Sequence, residues 1–119
     1  LDRFRAVALH SYFDLDHAET APVQLAALAI DLQHDERRRL LDVGWGHVRR
    51  HLARHAADAV TAGELREDVP PRQLARLVQA AMEGGALAWS VRPQGSLVRR
   101  LRADLDLILA GWQRKEDHS

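Results

Sequence analysis

Apolar residues recur at three- and four-residue intervals along almost the whole chain, and no segment alternates as a strand would. In the first segment Leu1, Phe4, Ala8, Tyr12 and Leu15 fall on one stripe, and Ala6, Leu9 and Phe13 make a second on the far side. A helix apolar on two sides is packed on two sides, so this element, ending around His17, is expected near the middle of a bundle. Thr20 can cap the next helix, and Pro22 fits its first turn, where a missing N–H costs nothing. Val23 to Leu32 is almost wholly apolar and predicts a short, largely buried helix. With Asp35 as N-cap, a long helix is expected from about Glu36 to Ala62, its stripe formed by Leu41, Trp45, Val48, Leu52, Ala56 and Ala59. Gly63 should end it in the left-handed conformation.

After a linker from Glu64 to Val69, Pro70 and Pro71 open a fourth helix that runs to Val91 and is stopped by Pro93 and Gly95. Beyond Leu77 it is small or apolar on almost every side and carries Gly84 and Gly85 in its interior. Two such glycines cost about 1 kcal/mol each relative to alanine, and close approach of another helix is the usual compensation. Ser96 caps a last helix reaching about Trp112, with Leu97, Leu101, Leu105, Ile108 and Trp112 on its stripe and Leu107 well off it. Arg100 with Asp104 and Arg102 with Asp106 are spaced to pair along it, and the tail from Gln113 to Ser119 is expected to fray. The pattern therefore predicts one all-α domain, a five-helix bundle spanning residues 1–119.

Composition narrows what such a bundle can do. With 119 residues, 46% of them hydrophobic, the chain can bury a core without metal or disulfide staples. It has no cysteine, which excludes a disulfide framework, a thiolate metal site and a cysteine nucleophile, and it fits a reducing, cytoplasmic setting. No apolar run approaches the length of a membrane span, so no membrane partner is expected. The basic residues, 16 Arg and one Lys, are balanced by 17 acidic ones. A neutral chain without a basic face is not expected to hold duplex DNA by itself.

Catalytic constellations are weak. His47, His51 and His55 recur every four residues and could supply two metal ligands, but no Glu follows the first as in a zinc-protease helix, and Arg49, Arg50 and Arg54 crowd the same region. A solvated or half-buried helix flank is the plainer reading, leaving a histidine–metal enzyme as a third-ranked class. No serine has a nucleophile-elbow context, Gly84–Gly85 is not a phosphate loop, and Asp14/Asp16 and Asp104/Asp106 point to different faces. No catalytic residue, metal or cofactor is assigned.

The polar groups set among apolar neighbours are more informative. Gln79, Glu83 and Ser90 share one narrow face of the fourth helix, near Met82, the chain's one methionine. They read either as a solvent-facing seam or as a pocket wall, since ligand cavities are mainly apolar with a few convergent polar groups. Tyr12 and Trp45 pose the same choice between ordinary core and pocket lining. The pocket reading places an apolar site between the first, third and fourth helices, lined by Tyr12, Trp45, Val48 and Met82, with Gln79 as polar anchor. Met82 brings an adaptable thioether to it.

The stretch Thr61-Ala62-Gly63-Glu64-Leu65-Arg66-Glu67-Asp68-Val69-Pro70-Pro71, followed by Leu74, Ala75, Leu77, Val78 and Met82-Glu83-Gly84, resembles the C-terminal regulatory domain of tetracycline-repressor (TetR) family transcription factors. The short apolar helix before His34–Asp35 and the closing helix Leu97 to Trp112 fall in matching order, so the likeness covers essentially the whole chain. The family's N-terminal helix-turn-helix head is absent from this sequence. The resemblance implies an effector-sensing and dimerisation domain of a repressor, in which a small hydrophobic molecule controls DNA binding by that head. It also implies a homodimer in which the last two helices of each subunit form a four-helix bundle. The excess of small and apolar surface on those helices nominates Gly84, Gly85, Ala88, Trp89, Leu107 and Trp112 as contacts. The alternative is a helical protein-interaction module with no small-molecule site.

Overall fold

The computed structural model describes residues 1–13 and 21–114, with the side chains of 21–25 left aside. It comprises α1 (Asp2–Leu9) continued by a 3-10 turn (His10–Tyr12), then α2 (Ala21–Leu32), α3 (Asp35–Thr61), α4 (Pro71–Val91) and α5 (Leu97–Ala110). Among the described residues the only extended pairing is an isolated antiparallel bridge between Leu65 and Gln113.

The antiparallel pair α3 and α4 is the spine. α5 folds back on α4, and α1 lies across α3, α4 and α5. The core they enclose is contributed by Phe4, Leu9 and Tyr12, by Leu52, Ala56 and Ala59, by Leu74, Val78, Met82 and Trp89, and by Leu97, Leu101, Leu105 and Leu109. Each set repeats at helical spacing, which is why these segments bury one continuous face apiece.

Local chemistry sets the boundaries. At the end of α3, Gly63 takes φ 78° and its N–H donates to the carbonyl of Val60, while Glu64 N–H reaches back to Ala59. These are the two bonds of a Schellman ending, which satisfies carbonyls the helix would otherwise leave open. Leu65, immediately beyond, is fully buried and fixes the exit direction. Ser96 caps α5, its hydroxyl accepting from Arg99 N–H at 3.2 Å.

Several expectations are corrected. Asp35 is not the N-cap of α3: His34 occupies that position in an extended conformation, and Asp35 is the first helical residue, where its carboxylate faces the positive helix end and pairs with Arg38. The first helix tightens to a 3-10 turn after Leu9, and its expected continuation to His17, like the Thr20 cap, lies outside the described residues. Its second stripe is only partly used: Leu9 is buried, but Ala6 and Phe13 are exposed. α2 was expected to be largely buried, yet Ala26, Ala27, Ala29, Ile30 and Leu32 face outward. α2 packs against α3 and α4, and among the described residues no further helix covers these side chains.

The segment after α5 differs as well. Gln113 and Arg114 are pinned to the α3–α4 connection by Arg66 N–H to the Trp112 carbonyl at 2.9 Å and Arg114 N–H to the Glu64 carbonyl at 3.2 Å. The extended Glu64–Arg66 backbone, with no helix of its own, supplies the open donors and acceptors. On α5, Asp106 pairs with Arg5 of α1 at 2.8 Å, tying first and last helices together.

Candidate functional site

α1, α3 and α4 leave a cleft of about 520 Å³ between them. All five residues nominated for a pocket line it: Tyr12 from the 3-10 turn, Trp45 and Val48 from α3, and Gln79 and Met82 from α4. They converge because the inner stripe of α3 faces both α1 with its 3-10 turn and α4, and along it Trp45 and Val48 remain partly exposed. Further along the same stripe Leu52 is fully buried and forms the floor with Met82. Glu83, read from the sequence as either solvent-facing seam or pocket wall, lines the cleft; Val7, Ser11 and His51 also line it and were not nominated, since the crossing angle of α1 over α3 cannot be read from stripe direction.

The polar focus is Tyr12 with Glu83. The Tyr12 hydroxyl donates to Glu83 Oε1 at 2.5 Å, joining residues 71 positions apart in the chain. Burial, reinforced by the hydrogen bond to Glu83 and its negative charge, holds the phenol protonated far above its ordinary range. Gln79 is otherwise engaged: its Nε2 donates to the Trp45 carbonyl at 3.0 Å, and its Oε1 accepts from Arg49 at 3.4 Å. It braces α4 against α3, and an entering ligand would have to displace those bonds to use it. Glu83 and Tyr12 are the better-placed polar anchor. Ser90, expected on the same polar face, donates to the Ala86 carbonyl of its own helix at 2.8 Å.

The histidine row on α3 faces arginines. Arg50 donates to His47 Nδ1 at 3.0 Å and Arg54 to His51 Nδ1 at 2.7 Å. Each such bond occupies an imidazole lone pair that a metal would need. Among the described residues no three His, Asp or Glu side chains converge as a metal set.

The residues nominated for subunit contact separate into two groups. Gly84, Ala88 and Leu107 lie exposed, Leu107 at 78%, and on α4 Gly84 and Ala88 share an outer stripe with the exposed Leu77, Leu87 and Val91. Trp89 and Gly85 do not belong with them. Trp89 is only 2% exposed, inside the protomer, its indole N–H without a partner among the described residues. At Gly85 an added Cβ would come within 2.6 Å of the Leu101 side chain, so this glycine admits the chain's own α5 rather than a second copy. One residue along the helix is a rotation of about 100°, enough to turn Gly84 outward and Gly85 inward. Trp112 is half-buried with the Arg66 guanidinium over its ring at 5.0 Å.

Among the described residues no helix is long and apolar enough to cross a membrane. Comparison with curated proteins and with solved structures gives no match. A family model described as "Tetracyclin repressor-like, C-terminal domain" matches residues 13–113, spanning the cleft's α3 and α4 walls and all of α5. With most of its length matched, the chain belongs to the tetracyclin repressor-like C-terminal domains, the non-enzymatic effector-binding and dimerisation domains of transcriptional regulators.

Proposed function

We propose that this chain is the effector-sensing and dimerisation domain of a TetR-like repressor, and that the cleft between α1, α3 and α4 takes a small, mostly hydrophobic molecule with one polar end. The observation that carries this reading is the cleft itself: its size falls in the range of small-molecule sites, and its exposed wall is mainly apolar around the Tyr12–Glu83 pair, with His10, Ser11, His51 and Gln79 as the other polar side chains on it. A sugar or nucleotide would demand many more buried donors and acceptors. The same hydrogen bond connects the first segment to α4, a helix of the proposed subunit interface. A ligand that separates Tyr12 from Glu83 therefore acts on the position of α1 relative to the dimer helices. It shifts that equilibrium only by its difference in affinity for the two arrangements. In this reading DNA is contacted through a helix-turn-helix head and not through this domain.

The neutral dye N-phenylnaphthylamine tests the site. Saturable binding should raise its fluorescence, quench Trp45 and raise the melting temperature, because binding to the native state alone stabilises it by mass action. Val48→Glu puts a charge on a half-exposed cleft wall and should weaken binding about tenfold or more without unfolding the chain. Equal binding by wild type and Val48→Glu would exclude this cleft.

A further inference from the structure

We propose that a second cleft, between the later half of α3 and the first turns of α4, binds a phosphate or diphosphate ester of an aliphatic molecule. This cleft has a volume of about 940 Å³ and shares no lining residue with the α1/α3/α4 cleft. Arg49, Arg50 and Arg54 enter it from α3, and Arg72 and Arg76 from α4. No Asp or Glu lines it.

Five guanidinium groups in one cleft of a chain with zero net charge are a local departure that needs compensation. Four of the arginines outside the cleft meet carboxylates: Arg5 meets Asp106, Arg37 meets Asp31, Arg38 meets Asp35, and Arg66 meets Asp68. Among the described residues none of the five cleft arginines has a carboxylate within ion-pair distance, and the recorded partners of Arg49, Arg50 and Arg54 are the neutral Gln79, His47 and His51. The N-terminus of α4 opens on the same cleft with Pro70 as its cap residue, no side-chain cap and no acidic residue in its first turn. It adds partial positive charge where a neutralising acid would ordinarily sit.

The ligand class follows from charge and lining together. A single carboxylate would leave most of the guanidinium charge unbalanced, whereas a phosphate ester offers multiple oxygens at the spacing that guanidinium forks bind bidentately. Besides the arginines and Gln73 the wall is Ala53, Ala57, Pro70 and Pro71, an apolar surface that inorganic phosphate would not use. No aromatic ring lines the cleft, so a nucleobase would lack the stacking partner that normally holds it. What remains is an anionic head on an aliphatic body.

Calorimetric titration of the full chain with monomeric n-octyl phosphate at physiological salt tests this. One saturable site per chain is expected. The triple variant Arg54→Gln, Arg72→Gln, Arg76→Gln should weaken binding at least about tenfold, since each lost contact is charge-assisted. Its melting temperature should stay level or rise as like charges are removed, and Arg76→Gln alone should show a smaller loss in the same direction. Arg102→Gln, on the exposed side of α5, should bind as wild type does. n-Octanol and inorganic phosphate should each bind much more weakly than the ester. The proposal is overturned by absence of saturable heat, by wild-type affinity in the triple variant, or by octanol or inorganic phosphate matching the ester. Binding confined to phosphatidate-containing vesicles, or binding lost in Val48→Glu but kept in the triple arginine variant, would overturn it equally. The last outcome would move the ligand to the other cleft and leave the proposed effector site standing.

Discussion

Tyr12 carries more of this protein's behaviour than any other single side chain described. It is the chain's one tyrosine, it is buried, and its hydroxyl is held on a carboxylate of another helix. Below about pH 10 the phenol is neutral in both folded and unfolded chains and contributes no pH dependence. Above that pH the unfolded chain releases the proton while the native one retains it, so stability falls as pH rises further. Because no other tyrosine contributes, tyrosinate absorbance should stay flat in the native chain past the ordinary phenol range and appear together with loss of helical circular dichroism. Tyrosinate forming in the intact fold at the ordinary pH would show that Tyr12 is solvated. Tyr12→Phe should remove this alkaline sensitivity. At neutral pH it should cost about 2 kcal/mol by denaturant titration, the usual size for a hydrogen bond to a charged group.

At the scale of an element, α4 is the informative helix, since neighbouring glycines there do different work. Gly84 has open space where a side chain would start, whereas a Cβ on Gly85 would collide with the fully buried Leu101. Gly84→Ala should therefore raise protomer stability by about 0.5–1 kcal/mol, the helix-propensity gain with no clash. Gly85→Ala gains the same propensity but overpacks a filled site, a penalty of about 1–3 kcal/mol, for a net loss of about 1 kcal/mol. Parallel urea titrations should place the two midpoints on opposite sides of wild type. Equal shifts would mean that α5 does not approach α4 at Gly85. The sequence made both glycines anomalous; only the position of α5 assigns the close approach to one of them.

For the whole molecule, the radius of gyration is 15.7 Å, where a chain of this length is expected at about 13.5 Å. The shape leaves apolar surface uncovered. Leu77, Gly84 and Val91 recur along α4 at seven-residue steps, flanked by Leu87 and Ala88, and Leu107 is exposed on α5. A second copy docked there by two-fold symmetry would cover both surfaces at once, which is the arrangement proposed for the dimer. Light scattering at micromolar concentration should give twice the chain mass. Leu87→Glu with Leu107→Glu should halve that mass while leaving far-ultraviolet circular dichroism unchanged, because both side chains are outside the protomer core. A monomeric wild type, or an undisturbed dimer in the double variant, would remove this face from the interface.

The periodicity of the sequence was sufficient for the helices, their order and most of their ends, because a 3.6-residue repeat, a glycine at φ 78° and a serine cap are local facts that need no neighbour. It was also sufficient to nominate Tyr12, Trp45, Val48, Gln79 and Met82, since each is an amphipathic or adaptable residue on an inner stripe. What a stripe cannot contain is how far the facing helix extends. The same stripe on α3 is fully buried at Leu52 and a partly exposed cleft wall at Trp45. Nor does it contain the turn of α5 onto α4, which seats Trp89 inside, leaves Leu107 outside and separates Gly84 from Gly85. The arginine cleft shows the division most clearly. Along the sequence Arg49, Arg50 and Arg54 only crowd the histidine row of one helix, whereas tertiary packing sets Arg72 and Arg76, about twenty residues away, against them. Charge on one helix is legible in a sequence, but its accumulation between two helices depends on long-range contacts, whose partners local periodicity leaves unspecified.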